Sequence, residues 1–224
     1  KTSRALTTHR PGQRGWLSLL LTPQVALLAL QYFCFSYVWY FYITWLPTYL
    51  EQGRGLPPER AAALAVLPLL FGGFGSLSTG LAPARISRRA IAVCGFLGTA
   101  ILLFAITQIQ SAFLAMLAMG LASFSSDLTM PISWDACVDI GGPYTATVAA
   151  TMNMLGNLAG FAAPVAGGII LKRTGNWNVL LDTMVVAAAV SSACWLFLSP
   201  EAARRARELE IQRQADLDAD GLLL

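Results

Sequence analysis

Five polar side chains, Asp127, Ser133, Trp134, Asn153 and Asn157, are set into two long apolar runs that meet at a short polar hinge, DIGGPY. An Asn amide in an apolar medium must be hydrogen-bonded. A carboxylate at the centre of a bilayer costs on the order of 2.5–3.5 kcal/mol on insertion scales. Such residues therefore face a polar interior. Asp127, Pro131 and Trp134 are spaced i, i+4, i+7, and Asn153 and Asn157 are spaced i, i+4, so each set shares one helical face. A hydroxyl, an indole and two amides suit hydrogen bonding of a polar solute at one wall of a cavity. Asp127 adds an exchangeable proton. It reads either as a coupling or gating residue or as a carboxyl satisfied by a neighbouring helix.

The first apolar run supplies a second set. Phe33, Tyr37, Tyr40 and Thr44 follow i, i+4, i+7, i+11 on one face. Tyr37 and Tyr40 are candidate cavity residues. The competing reading is an aromatic belt at the membrane interface, which suits Trp45 and Tyr49 better.

The elements that must position these residues are membrane spans. The chain has 224 residues, 56% hydrophobic and 12% charged, against about 25% charged in an ordinary soluble domain. Runs of roughly 20 apolar residues each suffice to cross a bilayer. Six are expected, at about 24–50, 61–82, 90–107, 112–137, 145–171 and 179–198. The fold class is thus an all-α membrane bundle over residues 23–199. A basic arm precedes it at 1–22 and a charged tail follows at 200–224. Pro47 closes or kinks the first span. Gly156, Gly160, Pro164 and Gly168 follow a four-residue step that suits close helix packing and bending.

Charge placement orients the bundle. Six spans put both termini on one side. That side carries four Lys or Arg on the arm, three on the loop PARISRR and four on the tail, against two and two on the opposite loops. The excess marks the first side as cytoplasmic. Asp127 is the acid nearest mid-membrane; Asp135 and Asp182 lie near span ends.

Other classes of function are poorly served. The partner implied is the lipid bilayer. The arm has too few charges, and no folded module beside it, for nucleic acid. Cys34, Cys94, Cys137 and Cys194 are scattered, and the sole histidine, His9, sits in the arm. No clustered ligand set for a metal is visible, and no cofactor is expected. No Ser/His or His/Asp set supports an enzyme. Lys1 opens the chain, which suggests that something upstream was removed or that this is a piece of a longer chain.

These residues resemble a family. The TWLPTYLE end of the first span, the basic loop after the second and the run SWDACVDIGGPYTATVAATMNMLGNLAG are similar to the C-terminal half of a major facilitator superfamily transporter. Within that superfamily they look like the anion:cation symporters, carriers of sugar acids, phthalate and other organic anions. The likeness covers about residues 20–200. GLAPARISRRA resembles the superfamily loop motif G-x-L-x-D-R-x-G-R-R, with Pro83 and Ala84 where the motif has its Asp.

The resemblance implies one half of a twelve-helix fold, with the substrate near the midplane between halves. It also implies secondary active, proton-coupled symport of a small organic anion. By this likeness Tyr40 matches a seventh-helix cavity aromatic, Ser133 and Trp134 tenth-helix substrate contacts, and Asn153 an eleventh-helix contact. The anion-binding Arg and most coupling acids of the family lie in the first half, so an N-terminal six-helix partner is implied. The rival expectation is a truncated, non-transporting membrane protein or an assembly partner.

Overall fold

A computed structural model describes residues 19–81 and 86–221, with side chains at 207, 210, 211 and 214–221 excepted. Most of the basic arm, the start of the PARISRR loop and the last three residues of the tail lie outside the described residues. Among those described, the secondary structure is helical throughout. The helices are α1 (Pro23–Thr44), α2 (Pro58–Thr79), α3 (Arg88–Gln108), α4 (Ala112–Asp127), α5 (Met130–Gly141), α6 (Thr145–Thr174), α7 (Trp177–Phe197) and α8 (Pro200–Gly221).

Local sequence sets the helix ends. The Thr22 hydroxyl accepts from the Val25 N–H ahead of Pro23, and the Ser87 and Ser111 hydroxyls cap α3 and α4 in the same way. At the far end of α6, Gly175 adopts φ 62°, a left-handed stop that L side chains resist. The chain bends at Trp45, after which Leu46–Thr48 and a π-helical turn, Tyr49–Gly53, continue it. Pro47 stands at the start of that short segment, where its missing N–H costs nothing.

Among the described residues, five stretches are long and apolar enough to cross a membrane. The fourth, Ala112–Thr174, is 63 residues long. It is not one rod. Gly142 has φ 53° and opens a single 3₁₀ turn, Gly142–Tyr144. Beyond it, Cys137 Sγ lies 3.5 Å from Met152 Sδ. Fifteen residues of unbroken helix would separate them by about 22 Å. The stretch therefore doubles back, and each limb is long enough to span about 30 Å of hydrocarbon.

The first limb is itself interrupted, where the sequence suggests one continuous span. Pro131 can donate no backbone hydrogen bond to the Asp127 carbonyl one turn earlier, and its ring crowds that carbonyl. α4 accordingly ends at Asp127 and α5 starts at Met130. Two hydroxyls of α2 serve the broken backbone. Ser76 donates to the Asp127 carbonyl at 3.2 Å and Thr79 donates to the Leu128 carbonyl at 2.7 Å.

α1 packs on α6 and α7, α2 on α4, and α3 on α7 and α4. Two apolar clusters form the interior, one around Phe41, Leu103, Met119 and Met184, the other around Leu28, Phe96, Met152 and Trp195. The α6 glycines seat aromatic rings of α1. A Cβ at Gly156 would meet Tyr32 at 2.8 Å, one at Gly160 would meet Tyr40 at 2.5 Å, and one at Gly167 would meet Trp45 at 2.5 Å. Small residues here allow large rings to lie flat against a neighbouring helix.

Candidate substrate cleft

A cleft of about 410 Å³ opens between α1, α2, the α4–α5 break and α6. α1 contributes Tyr32, Phe35, Ser36, Trp39 and Tyr40; α2 contributes Leu69, Gly73 and Ser76. Asp127 and Met130 flank the break, and α6 adds Asn153, Gly156 and Asn157.

Of the residues singled out from sequence, Tyr40, Asp127, Asn153 and Asn157 meet in this cleft. The Tyr40 hydroxyl donates to Asn157 Oδ1 at 3.3 Å, and Asn157 Nδ2 donates to the Asn153 carbonyl at 2.8 Å. Asn157 is thus oriented by one bond within its helix and one across to α1. Its partners sit at the exposed edge of the cleft, within reach of a solute.

Three candidates lie elsewhere. Tyr37 turns away from the cleft, and its hydroxyl pairs with Thr183 Oγ1 on α7 at 3.0 Å. Ser133 is buried, donates to the Thr129 carbonyl and accepts from Gln31 Nε2 at 3.2 Å. Gln31 in turn accepts from Trp195 Nε1, so Ser133 belongs to a structural network joining α1, α5 and α7. Trp134 is partly exposed and stacks edge-on against Tyr32, ring centroids 6.1 Å apart. It touches Tyr32 of the cleft wall but is not itself among the lining residues. The helix break separates Trp134 from the face it would share with Asp127 in a straight helix.

Sequence reasoning missed Tyr32, Ser36 and Ser76. The signal was present for two of them, since Tyr32, Ser36 and Tyr40 repeat every four residues. The stripe chosen instead, Phe33, Tyr37, Tyr40 and Thr44, mixes Tyr40 of the cleft with Tyr37, whose hydroxyl meets Thr183 of α7. Ser76 carried no signal, because serine in a small-residue string reads as packing.

Among the described residues, Asp127 is the one carboxylate or cation in the cleft wall. It is buried, and its Oδ1 has no hydrogen-bond partner among the described residues; the Ser123 hydroxyl beside it is in the same state. Both press against Gly72 of α2, where a Cβ would collide with Asp127 Oδ2 and stand 2.8 Å from Ser123 Oγ. The site offers hydroxyls, amides, aromatic faces and one proton-exchanging group. It supplies no fixed positive charge.

Among the described residues, no group of three or more His, Cys, Asp or Glu is placed to hold a metal ion. Chemically, the wall can orient a polar solute by hydrogen bonding and aromatic contact. Among the described lining residues there is no cation to pair with an anionic solute.

The chain is similar to several known transporters. A probable sulfoacetate transporter of Cupriavidus necator is 29% identical over 75% of this chain and 41% of its own length. An ascorbate transporter of Arabidopsis thaliana chloroplasts is 28% identical over 83% of the chain and 36% of its own length. A hexuronate transporter of Bacillus subtilis is 26% identical over 75% of the chain and 43% of its own length. The chain spans about two-fifths of the length of these relatives, which are transporters rather than enzymes. The profile of the Major Facilitator Superfamily matches residues 1–164. An all-helical chain with several bilayer-length apolar stretches that matches this profile over most of its length is a multi-pass membrane protein, and it belongs to the Major Facilitator Superfamily.

Proposed function

We propose that this chain is the C-terminal half of a secondary active carrier for a small organic anion, a sugar acid or another carboxylate. Transport would proceed by alternating access, with two halves rocking about a site near the membrane midplane. The observation that carries this reading is the convergence of Tyr40, Asp127, Asn153 and Asn157, from three parts of the fold, on one cleft of about 410 Å³. Relatives named as transporters of sulfoacetate, ascorbate and hexuronate support an anionic substrate.

In this reading Tyr40, Asn153 and Asn157 bind substrate hydroxyl or carboxylate oxygens, and Trp134 supports the wall through Tyr32. Tyr37 and Ser133 act indirectly, by fixing α1 against α7 and α5. An N-terminal six-helix half provides the opposite wall and the cationic partner for the anion. Proton binding at Asp127 neutralises the one charge on this wall and favours the loaded, reorienting state. The bundle resides in the cell membrane with both termini cytoplasmic, a placement supported by the excess of Lys and Arg on that side.

The test is uptake of a labelled hexuronate by vesicles that hold both halves. An inward proton gradient should drive accumulation above equilibrium, and Asp127→Asn should abolish the gradient's effect while leaving counterflow exchange. Accumulation that ignores the gradient removes the coupling claim. Wild-type kinetics in Asn153→Ala and Asn157→Ala remove the cleft as the binding site.

A further inference from the structure

A second cavity, of about 280 Å³, lies where α3 begins and α7 passes into α8, and shares no wall residue with the substrate cleft. Its lining divides by chemistry. Ile132, Ala136, Trp195 and Leu198 form apolar walls, while Arg88, Arg89 and Arg205 converge on it from two distant segments.

The carboxylates at this cavity do not cancel those cations. Arg88 lies 3.5 Å from both Asp135 and Asp139, and Asp139 is also 3.8 Å from Arg204. Arg88 and Asp139 are therefore already engaged. Glu201 is the other acid in the lining. Arg89 and Arg205 are exposed and make no ion pair among the described residues. Among the described residues their guanidinium groups are without an acidic partner, at the level where two membrane spans end. Immediately before the lining residue Leu198, Leu196 and Phe197 of α7 present exposed apolar side chains.

The geometry points to a binding site for the headgroup of an anionic phospholipid. Arg89 and Arg205 hold the phosphate, as guanidinium pairs do with phosphate oxygens, and the outer surface of α7 carries the acyl chains. Basic pockets between helix ends at the membrane surface suit this ligand. A free phosphate would use the two arginines but gain nothing from the apolar surface next to them. The site is independent of the transport reading, since it uses no residue of the cleft.

The experiment is native mass spectrometry of the full-length polypeptide released from micelles doped with phosphatidylglycerol or phosphatidylcholine. Phosphatidylglycerol adducts should be retained preferentially. Each arginine near an anionic surface contributes about fivefold in affinity, so Arg89→Gln/Arg205→Gln should remove most of that preference. Arg89→Lys/Arg205→Lys should keep much of it, and Arg213→Gln, farther along α8, should keep all of it. Inorganic phosphate at millimolar concentration should fail to displace the lipid. Displacement by phosphate would reassign the site to a free anion, and an unchanged preference in the double Gln variant would overturn the proposal. Thermal melts of each variant separate loss of the site from loss of the fold.

Discussion

The Tyr40 hydroxyl donates to Asn157 Oδ1 at 3.3 Å, joining α1 to α6 at the mouth of the cleft. The bond crosses the two helices that pack most extensively, and it stands beside Gly160, the slot that receives the Tyr40 ring. Position of the ring and direction of the Asn157 amide are thus set together. Tyr40→Phe should cost little stability, because this exposed bond is worth about 0.5–1.5 kcal/mol at most. It should raise the substrate KM several-fold by freeing the Asn157 amide. Melting temperature and uptake kinetics measured on the same preparation check both halves of the statement.

Gly160→Ala should be far more damaging than Gly168→Ala. At Gly160 the added Cβ meets the Tyr40 ring at 2.5 Å, whereas at Gly168 the nearest atom is Trp45 Cζ2 at 3.8 Å. Overpacking of this kind costs about 1–3 kcal/mol. It would also displace Tyr40 into the cleft. A melting-temperature drop for Gly160→Ala with none for Gly168→Ala is the expected pair of results, and equal drops would refute the ring-seat account.

Thr79→Val should destabilise the α4–α5 break. The Thr79 hydroxyl is the side-chain donor to the Leu128 carbonyl, at 2.7 Å, and valine keeps the shape while losing the bond. Interhelical side-chain bonds in membranes average about 0.6 kcal/mol, with a maximum of about 1.7. The loss should fall in that range. Ser76→Ala, which frees the Asp127 carbonyl, should add to it. Because these two hydroxyls couple α2 to the break, the double variant should also accelerate hydrogen exchange at residues 128–133.

Arg54→Lys should not replace arginine. Arg54 donates to the Ile106, Ile109 and Gln110 carbonyls at the end of α3 and to the Tyr49 hydroxyl. One planar guanidinium reaches several acceptors that a single ammonium cannot serve together. Bonds to charged groups are worth about 1.5–3 kcal/mol, so Arg54→Ala should lower stability by that order, with Arg54→Lys recovering only part. Chemical denaturation in detergent reads the difference.

Gly72→Ala tests the crowding around Asp127. The new methyl would collide with the Asp127 carboxyl and approach Ser123 Oγ. Gly73, one residue on, faces open space in the cleft. Gly72→Ala should therefore lower stability and, on the proposed role of Asp127, disturb uptake with it, while Gly73→Ala should leave stability unchanged. Stability loss at Gly73 instead of Gly72 would mean that α2 is rotated from the orientation described.

The helical bundle was legible in the chain because bilayer-length apolar runs, separated by Gly, Pro and charge, admit little but transmembrane helices. Asp127, Asn153 and Asn157 were legible for the same reason, since polar groups at such depth must find polar company. The face that each helix turns toward its neighbours was not legible. These helices are apolar on all sides, so no hydrophobic stripe distinguishes the face of Tyr32, Ser36 and Tyr40 from that of Phe33 and Tyr37. Tertiary packing decided it, through the rings seated on Gly156 and Gly160 and the bond from Tyr37 to Thr183. The reading of one continuous span over 112–137 passed over Pro131 as a helix breaker, and that Ser76 and Thr79 would serve the freed carbonyls depended on how α2 lies against α4. The ion pairs of Asp139 with Arg88 and Arg204 likewise needed three segments far apart in the chain to meet at one end of the bundle. Local sequence determined which segments are helices and which side chains cannot face lipid. Long-range contact determined which of those side chains share a cleft, because that depends on helix rotation, which only the neighbouring surfaces select.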